Sequence, residues 1–282
     1  MSPMPVLPTD RRADLHLHTT FSDGTFSPAE LVREALQAQL AAVAVTDHDC
    51  VDGVPGAVAA AAGHLEVIPG IELTVAFRGV ELHVLGYCLD VEAPAVRERL
   101  AAMRRQREVR LQQMIDRLKP YGITVSLEEV LRLSEHGAAG RPHLARVLAQ
   151  RGYVKTAEEA FARFIGDTAP CFVKRATLTP ASAVEFIRSA GGVSALAHPA
   201  RFVPDAWLPE LLAAGLQGIE AYHPDHSRQV ADRYRQYAED HHLLVTGGSD
   251  AHGAWKANGP TVGSVTVPYA CVEQLKQAAG RR

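Results

Sequence analysis

The stretch AAVAVTDHD, Ala41 to Asp49, decides the fold. Its first part is an unbroken run of small and β-branched apolar residues. Such a run, with no polar alternation, reads as a strand buried on both faces, as in a parallel sheet. The run then ends abruptly in Asp47-His48-Asp49. Burying those groups without partners costs several kcal/mol each, so they need a metal, a salt bridge or water. Working outward, Ala13–His18 is a second short strand, and it too ends in polar groups, His16 and His18. Between the two strands, Ser27-Pro28-Ala29-Glu30 opens a helix that runs to about Leu40. Ser27 is its N-cap, Pro28 takes the first helical position and Glu30 completes a capping box. Downstream, a helix near Val54–Ala62 precedes a strand from Glu66–Ile68 into Glu72, with a turn at Pro69-Gly70. Glu81–Tyr87 follows as another strand. This order argues for an α/β fold with a mostly parallel sheet.

From about Asp90 the pattern changes. Val96, Leu100, Met103, Leu111, Met114, Ile115 and Leu118 recur at helical spacing, and no strand signal appears before Cys171-Phe172-Val173. Residues 93–170 therefore read as a helical insertion between a first part, 1–92, and a second, 171–282. The same stretch carries Arg97, Arg99, Arg104, Arg105, Arg107, Arg110 and Arg117. Such a face is most often a solvated helix surface. Its functional alternative is an electropositive wall for an anionic substrate. Strand and helix signals resume after Thr179-Pro180, with strands at Val193–Ala197, Gly218–Ala221, Leu243–Thr246 and Gly263–Val267. Helices are expected at Ala181–Ala190, Trp207–Ala214 and Ser227–His241. The units amount to about seven, which suits a (β/α) barrel.

Composition narrows the function. The chain has 282 residues, 47% hydrophobic and 22% charged, with a net charge of −3, so no global basic field draws it to nucleic acid. No DNA-recognition motif is evident. Cys50, Cys88, Cys171 and Cys271 form no CxxC pair, which favours free thiols in a reducing compartment. No run of apolar residues is long enough to span a membrane. The first residues, MSPMPVLPTDRR, lack the apolar core of a signal peptide, so a cytoplasmic location is expected.

The chemistry sits at the strand ends. His16 and His18 are two apart on a strand, so both point the same way. Asp23 lies in a glycine-containing turn that can fold back on them. Glu72 is the only carboxylate inside VIPGIEL, well placed to bridge two cations. His83, His198, and Asp250 with His252 finish three more strands. Each alone could be an ordinary hydrogen-bonded group. Together they share one topological position, and imidazole with carboxylate is metal-ligand chemistry.

HLHTTFSDG, VTDHD, GIE, ELHVLGY, AHP and GSDAH together resemble the polymerase and histidinol phosphatase (PHP) family of metal-dependent phosphoesterases, over nearly the whole chain. GRPHLARVLAQRGYV (Gly140–Val154) and FVKR (Phe172–Arg175) resemble its branch of 3′,5′-nucleoside bisphosphate phosphatases and 5′→3′ exoribonucleases. The resemblance implies a distorted (β/α)7 barrel with a helical insertion. It implies a first metal on His16, His18, Glu72 and Asp250, and a second on Glu72, His83 and His198. Asp23, His48 and His252 would hold a third. Many relatives have histidine where this chain has Asp23. That harder oxygen ligand leaves two or three divalent ions, and favours manganese, iron or magnesium over all-zinc. Glu72 is then catalytic as the bridge.

Arg141, His143, Lys174 and Arg175 are implied substrate-phosphate residues, with Arg141 and His143 just ahead of a helix over Leu144–Ala149 and Lys174 and Arg175 on a return strand. His223 is a candidate for phosphate binding or for protonating the leaving oxygen, with His226 beside it. Asp14, Asp47 and Asp49 read as groups that orient ligands. The expected substrate is a nucleoside 3′,5′-bisphosphate or the 5′ end of a short RNA. The alternatives are a histidinol-phosphate phosphatase and a non-catalytic metal-binding module of the same family.

Overall fold

A computed structural model describes residues 11–134, 137–174, 178–253 and 259–281. The first half alternates as the sequence dictates: β1 (Arg12–Leu17), α1 (Pro28–Gln37), β2 (Ala42–Val45), α2 (Gly53–Ala61), β3 (Glu66–Phe77) and β4 (Val80–Tyr87). Helices α3 (Pro94–Leu118), α4 (Leu127–Arg132), α5 (Arg141–Gln150) and α6 (Ala157–Ala160) follow. The chain then returns through α7 (Pro180–Ser189), β5 (Val193–Leu196), α8 (Pro199–Phe202), α9 (Leu208–Ala213) and β6 (Gly218–Tyr222). It ends with α10 (Arg228–Asp240), β7 (Leu244–Gly247), β8 (Val267–Pro268) and α11 (Tyr269–Ala278). Ser27 caps α1 as expected, with the reciprocal Glu30 bond to its backbone.

The strands form one sheet in the order β7-β6-β5-β4-β3-β2-β1-β8. It is nearly closed: Ala251, just past β7, bridges Leu17 of β1, and the His18 N–H bonds the Ala251 carbonyl at 3.2 Å. Helices cover the outside. Val43 and Val45 of β2 pack with Leu31, Val32, Val54 and Ala57 of α1 and α2. The alternate residues Ala42 and Ala44 pack with Leu15, Leu85 and Tyr87, in a cluster that also takes Val272 and Leu275 of α11. That alternation is why both faces of so short a strand must be apolar.

The barrel departs from regular (β/α) geometry at β3 and β4. These pair antiparallel through a tight Arg78-Gly79 turn with both residues at positive φ, and β4 pairs antiparallel with β5. The mostly parallel reading overlooked this hairpin. The expected turn at Pro69-Gly70 is instead strand. Pro69 still pairs with Val45 of β2, whereas Gly70 pairs with Tyr87 of β4, so the dipeptide marks a change of neighbour. The last strand is also shorter than Gly263–Val267, because only Val267 and Pro268 reach β1. No strand forms at Phe172–Lys174. The returning chain meets the sheet only at Leu178, bridged to Val75.

Helix α3 belongs to two cores. Val96, Leu100 and Met103 pack on the barrel, while Leu111, Met114, Ile115 and Leu118 pack with Leu144, Leu148, Phe164 and Val173. A single helical stripe thus ties the inserted helices to the strands.

Candidate metal centre

Every strand-end residue expected to ligate a metal comes to one end of the barrel. His16 and His18 leave β1 fully buried. The turn after them doubles back on itself, with Gly24 donating its N–H to the Thr19 carbonyl at 3.0 Å. A Cβ at Gly24 would lie 2.6 Å from the His18 carbonyl oxygen, so only glycine lets the turn close this tightly. That closure brings the Asp23 carboxylate 3.3 Å from His252 Nε2 and 3.8 Å from His18 Nδ1. The Asp47-His48-Asp49 segment continues beyond β2 by pairing with Glu72, whose N–H and carbonyl bond Asp47 and Asp49. His48 therefore stands beside Glu72.

Glu72 is the centre of the arrangement. Its Oε2 lies 3.4, 3.3 and 3.0 Å from nitrogens of His16, His18 and His48. Its Oε1 lies 2.8 Å from His83 Nδ1 and 3.1 Å from His198 Nε2. Asp250 Oδ1 closes the first set, 3.3 Å from His16 and 3.1 Å from His18. Three overlapping groups result: His16, His18, Glu72 and Asp250; His48, Glu72 and His83; and His18, Asp23, His48 and His252. His48 turns Nδ1 to Glu72 and Nε2 toward Asp23, 3.9 Å away, so it stands between two groups rather than in one.

The donor set fits divalent ions. Ligand atoms held about 2.0–2.2 Å from one ion stand roughly 3–4 Å apart, the spacing seen here. His16 Nε2, Asp23 Oδ1, His48 Nδ1 and Glu72 Oε2 are buried yet make no hydrogen bond. Buried polar atoms are otherwise almost always satisfied, so lone pairs converging this way call for a cation. Asp49, His198 and Asp250 also hold positive φ values of 49°, 27° and 50°, three of the eight non-glycine residues in that region among those described.

Electrostatics follow from the crowding. Burial opposes charge on Glu72, but His48, His83 and His16 hold its carboxyl well below the usual range. Burial likewise opposes charge on His48, and Glu72 with Asp23 outweighs it, carrying the imidazole up to about 9, so a metal ion bound there would displace a proton. Burial, helped by His252 and His48, pushes His18 down to about 3. His18 thus presents neutral nitrogens.

A belt of carboxylates fixes the ligands. Asp47 accepts from Thr19 N–H, Thr19 Oγ1 and Ser22 Oγ, holding the turn that carries Asp23. Asp14, pushed up to about 6 by burial, accepts from the Ser249, Gly263 and His16 N–H groups and from Ser249 Oγ. Asp49 accepts from the Thr74 N–H at 3.1 Å and pairs with Arg107, whose Nη1 also reaches the carbonyls of Ala138 and Ala139. The sequence reading missed Arg107 as a link from α3 to the cluster. It also missed Glu220. This fully buried residue holds His16 Nδ1 at 2.9 Å and accepts from the His198 N–H at 2.6 Å. Its signal was present: like Glu72, it is a lone carboxylate in an apolar strand, GIEAY.

The remaining candidates spread outward. His223 is buried beside the cluster. Its Nδ1 accepts from the Asp225 N–H at 3.1 Å, which leaves Nε2 to donate toward Asp250 at 3.4 Å. His226 does not reach the ligands, since its ring lies between His223 and Tyr234 and its Nδ1 is bonded to the Ala221 carbonyl. Arg141 and His143 lie inside the first turn of α5, not ahead of the helix. The Arg141 guanidinium bonds Asp167 at 2.6 Å and stands 3.7 Å from Glu81, two residues from His83. His143 Nδ1 accepts from the Gly140 N–H, and burial lowers the imidazole to about 4. It is therefore neutral, with its proton on Nε2. Lys174 is exposed and faces α3. Arg175 lies outside the described residues.

A PHP domain model matches residues 14–165. The chain belongs to the PHP family. It is 33% identical over 247 residues to the 5′-3′ exoribonuclease Rnm of Salmonella typhimurium, covering 85% of this chain and 84% of that protein. It is 33% identical to the 3′,5′-nucleoside bisphosphate phosphatase of Chromobacterium violaceum, covering 85% of this chain and 86% of that one. The crystal structure of a Bifidobacterium adolescentis protein assigned to the metal-dependent phosphoesterases matches with a TM-score of 0.85 at 31% identity. That match covers 96% of this chain and 97% of the other. The α/β barrel is thus a PHP fold, and the protein is a metal-dependent phosphoesterase. Neither relative named here is a histidinol-phosphate phosphatase, and that alternative is not favoured. No helix among the described residues is long and apolar enough to cross a membrane.

Proposed function

We propose that the protein hydrolyses nucleotide phosphate esters, releasing phosphate from a nucleoside 3′,5′-bisphosphate or nucleotides from the 5′ end of short 5′-phosphorylated RNA. The observation that carries this is the convergence of imidazole nitrogens on both oxygens of Glu72, with His16 Nε2, His48 Nδ1 and Glu72 Oε2 left without a hydrogen bond. Likeness to an exoribonuclease and a bisphosphate phosphatase supports the nucleotide. His16, His18, Glu72 and Asp250 would hold one divalent ion, Glu72, His83 and His198 a second, and Asp23, His48 and His252 a third. When bound, such ions lower the pKa of coordinated water and neutralise the charge of a phosphoryl group. The mixed nitrogen and oxygen donors favour manganese.

The chain's own residues supply the rest. Glu220 keeps the His16 proton on Nδ1 and so leaves Nε2 free to ligate. The Arg141 fork can exchange Asp167 for a substrate phosphate, a planar guanidinium being suited to bidentate capture. His143 is neutral and offers Nε2–H as a donor without adding charge. Lys174 and Arg175 are the further phosphate cations. His223 Nε2 carries a proton on the Asp250 side of the cluster, where it can pass to the departing ester oxygen. The helical insertion, residues 93–170, walls this substrate side. Four unbridged thiols support a cytoplasmic location.

The test is hydrolysis by chelated protein reconstituted with manganese. Release of phosphate from adenosine 3′,5′-bisphosphate, or of mononucleotides from 5′-phosphorylated RNA, is expected. Inactivity on both, with metal content verified, overturns the reading.

A further inference from the structure

A groove of about 700 Å3 runs between α3 and the returning chain. On the α3 side its wall runs from Arg99 to Gln113, about 21 Å at 1.5 Å per residue, with Met103, Gln106 and Arg110 between them and Arg105 toward one edge. Thr74, Lys174 and Leu178 face it from the other side. The groove starts at the metal centre. Thr74 lies two residues past Glu72 on β3, pairs with His83 across the hairpin, and bonds Asp49.

Among the described residues no carboxylate lines this groove. Arg107 faces it but is neutralised by Asp49. Arg99 and Arg105 are exposed and pair with no carboxylate among the described residues. An ordinary solvated arginine face would be convex and interspersed with acids. Here the cations and two amides rim a concavity with Ala102, Met103 and Leu178 in it. In a chain with net charge −3, such local clustering selects a polyanion.

We propose that this groove binds the phosphodiester backbone of single-stranded RNA downstream of the nucleotide held at the metal centre. The proposal rests on the nucleotide reading above and extends it to a polymer. Guanidinium groups spread along the length of the groove suit successive phosphates. No aromatic side chain lines the groove among the described residues, so binding there is electrostatic rather than by base stacking, and independent of sequence. A mononucleotide held at the ions would not extend along α3.

The test uses the manganese-loaded protein and the double variant Arg99→Glu/Arg105→Glu. Two substrates are compared, adenosine 3′,5′-bisphosphate and a 5′-phosphorylated octaribonucleotide. Expected is a loss of roughly tenfold or more in kcat/KM on the octamer, carried by KM. Its salt dependence should flatten by about 1.4 in log–log slope, two phosphate contacts at ~0.7 each. Turnover of the bisphosphate should stay within about twofold, which also shows that the variant folds. Equal effects on both substrates, or none on the octamer, overturn the proposal. If the wild-type protein processes neither substrate, the nucleotide reading has failed by itself. The groove is then judged by fluorescence anisotropy of the labelled octamer: binding that the double variant loses upholds it, and absent or unchanged binding overturns it.

Discussion

Replacing Glu220 by glutamine should weaken the metal centre without touching a proposed ligand. Glu220 is fully buried and accepts two hydrogen bonds, from His16 Nδ1 at 2.9 Å and from the His198 backbone N–H at 2.6 Å. Glutamine offers one carbonyl oxygen for these two donors and must turn its NH2 toward the other. If the NH2 faces His16, the imidazole must shift its proton to Nε2, the atom that faces Glu72 and Asp250. Loss of the carboxylate also lowers the basicity of that nitrogen. Changes of this type cost about 10–100-fold in metal affinity, or roughly 1.4–2.7 kcal/mol. The assay is manganese titration of chelated protein against a competing indicator, for the wild type and Glu220→Gln side by side. A tenfold or larger rise in the manganese dissociation constant, with secondary structure unchanged, is expected. A change below about twofold would refute the assignment of Glu220 as the group that sets the His16 tautomer.

Three further outcomes follow from the same geometry. Arg107→Ala removes the cation from fully buried Asp49, and breaking such a pair costs about 3 kcal/mol or more. Thermal unfolding should fall by roughly 6–12 °C, and a shift under about 2 °C contradicts the link from α3 to the cluster. Gly24→Ala places a Cβ against the His18 carbonyl and should move Asp23, so elemental analysis should find the Asp23–His48–His252 ion depleted while the Glu72 sites stay filled. Undiminished metal content goes against the role given to that turn. His143 has a folded pKa of about 4, below its unfolded value of about 6.5. The unfolded chain therefore binds the extra proton between these limits. Stability present above about pH 6.5 is lost as pH falls toward 4, by as much as about 3 kcal/mol. Denaturant unfolding of His143→Gln should show a shallower fall over that range, and equal slopes exclude the effect.

The fold was legible wherever local chemistry matched global placement. Ala41–Thr46 could only be a buried strand, and the Ser27–Glu30 capping box marked the start of α1 to the residue. The antiparallel hairpin was hidden because its turn, Arg78-Gly79, is short and carries neither asparagine nor aspartate, while Pro69-Gly70 gave a stronger but false turn signal. The convergence of the candidate ligands was legible because histidine and carboxylate at strand ends have few other reasons to be there. Their partners were not. Glu220 and Arg107 act through contacts 204 and 58 residues away in sequence, and no local pattern records such a pairing.

The account depends most on Glu72 joining neighbouring ions. Anomalous scattering from crystals of the manganese-loaded protein, recorded at the manganese edge, tests this directly. Peaks are expected on both sides of the Glu72 carboxylate, one among His16, His18 and Asp250 and one beside His83 and His198. No peak at Glu72, or ions bound only elsewhere on the chain, would contradict the proposed centre and the hydrolysis built on it.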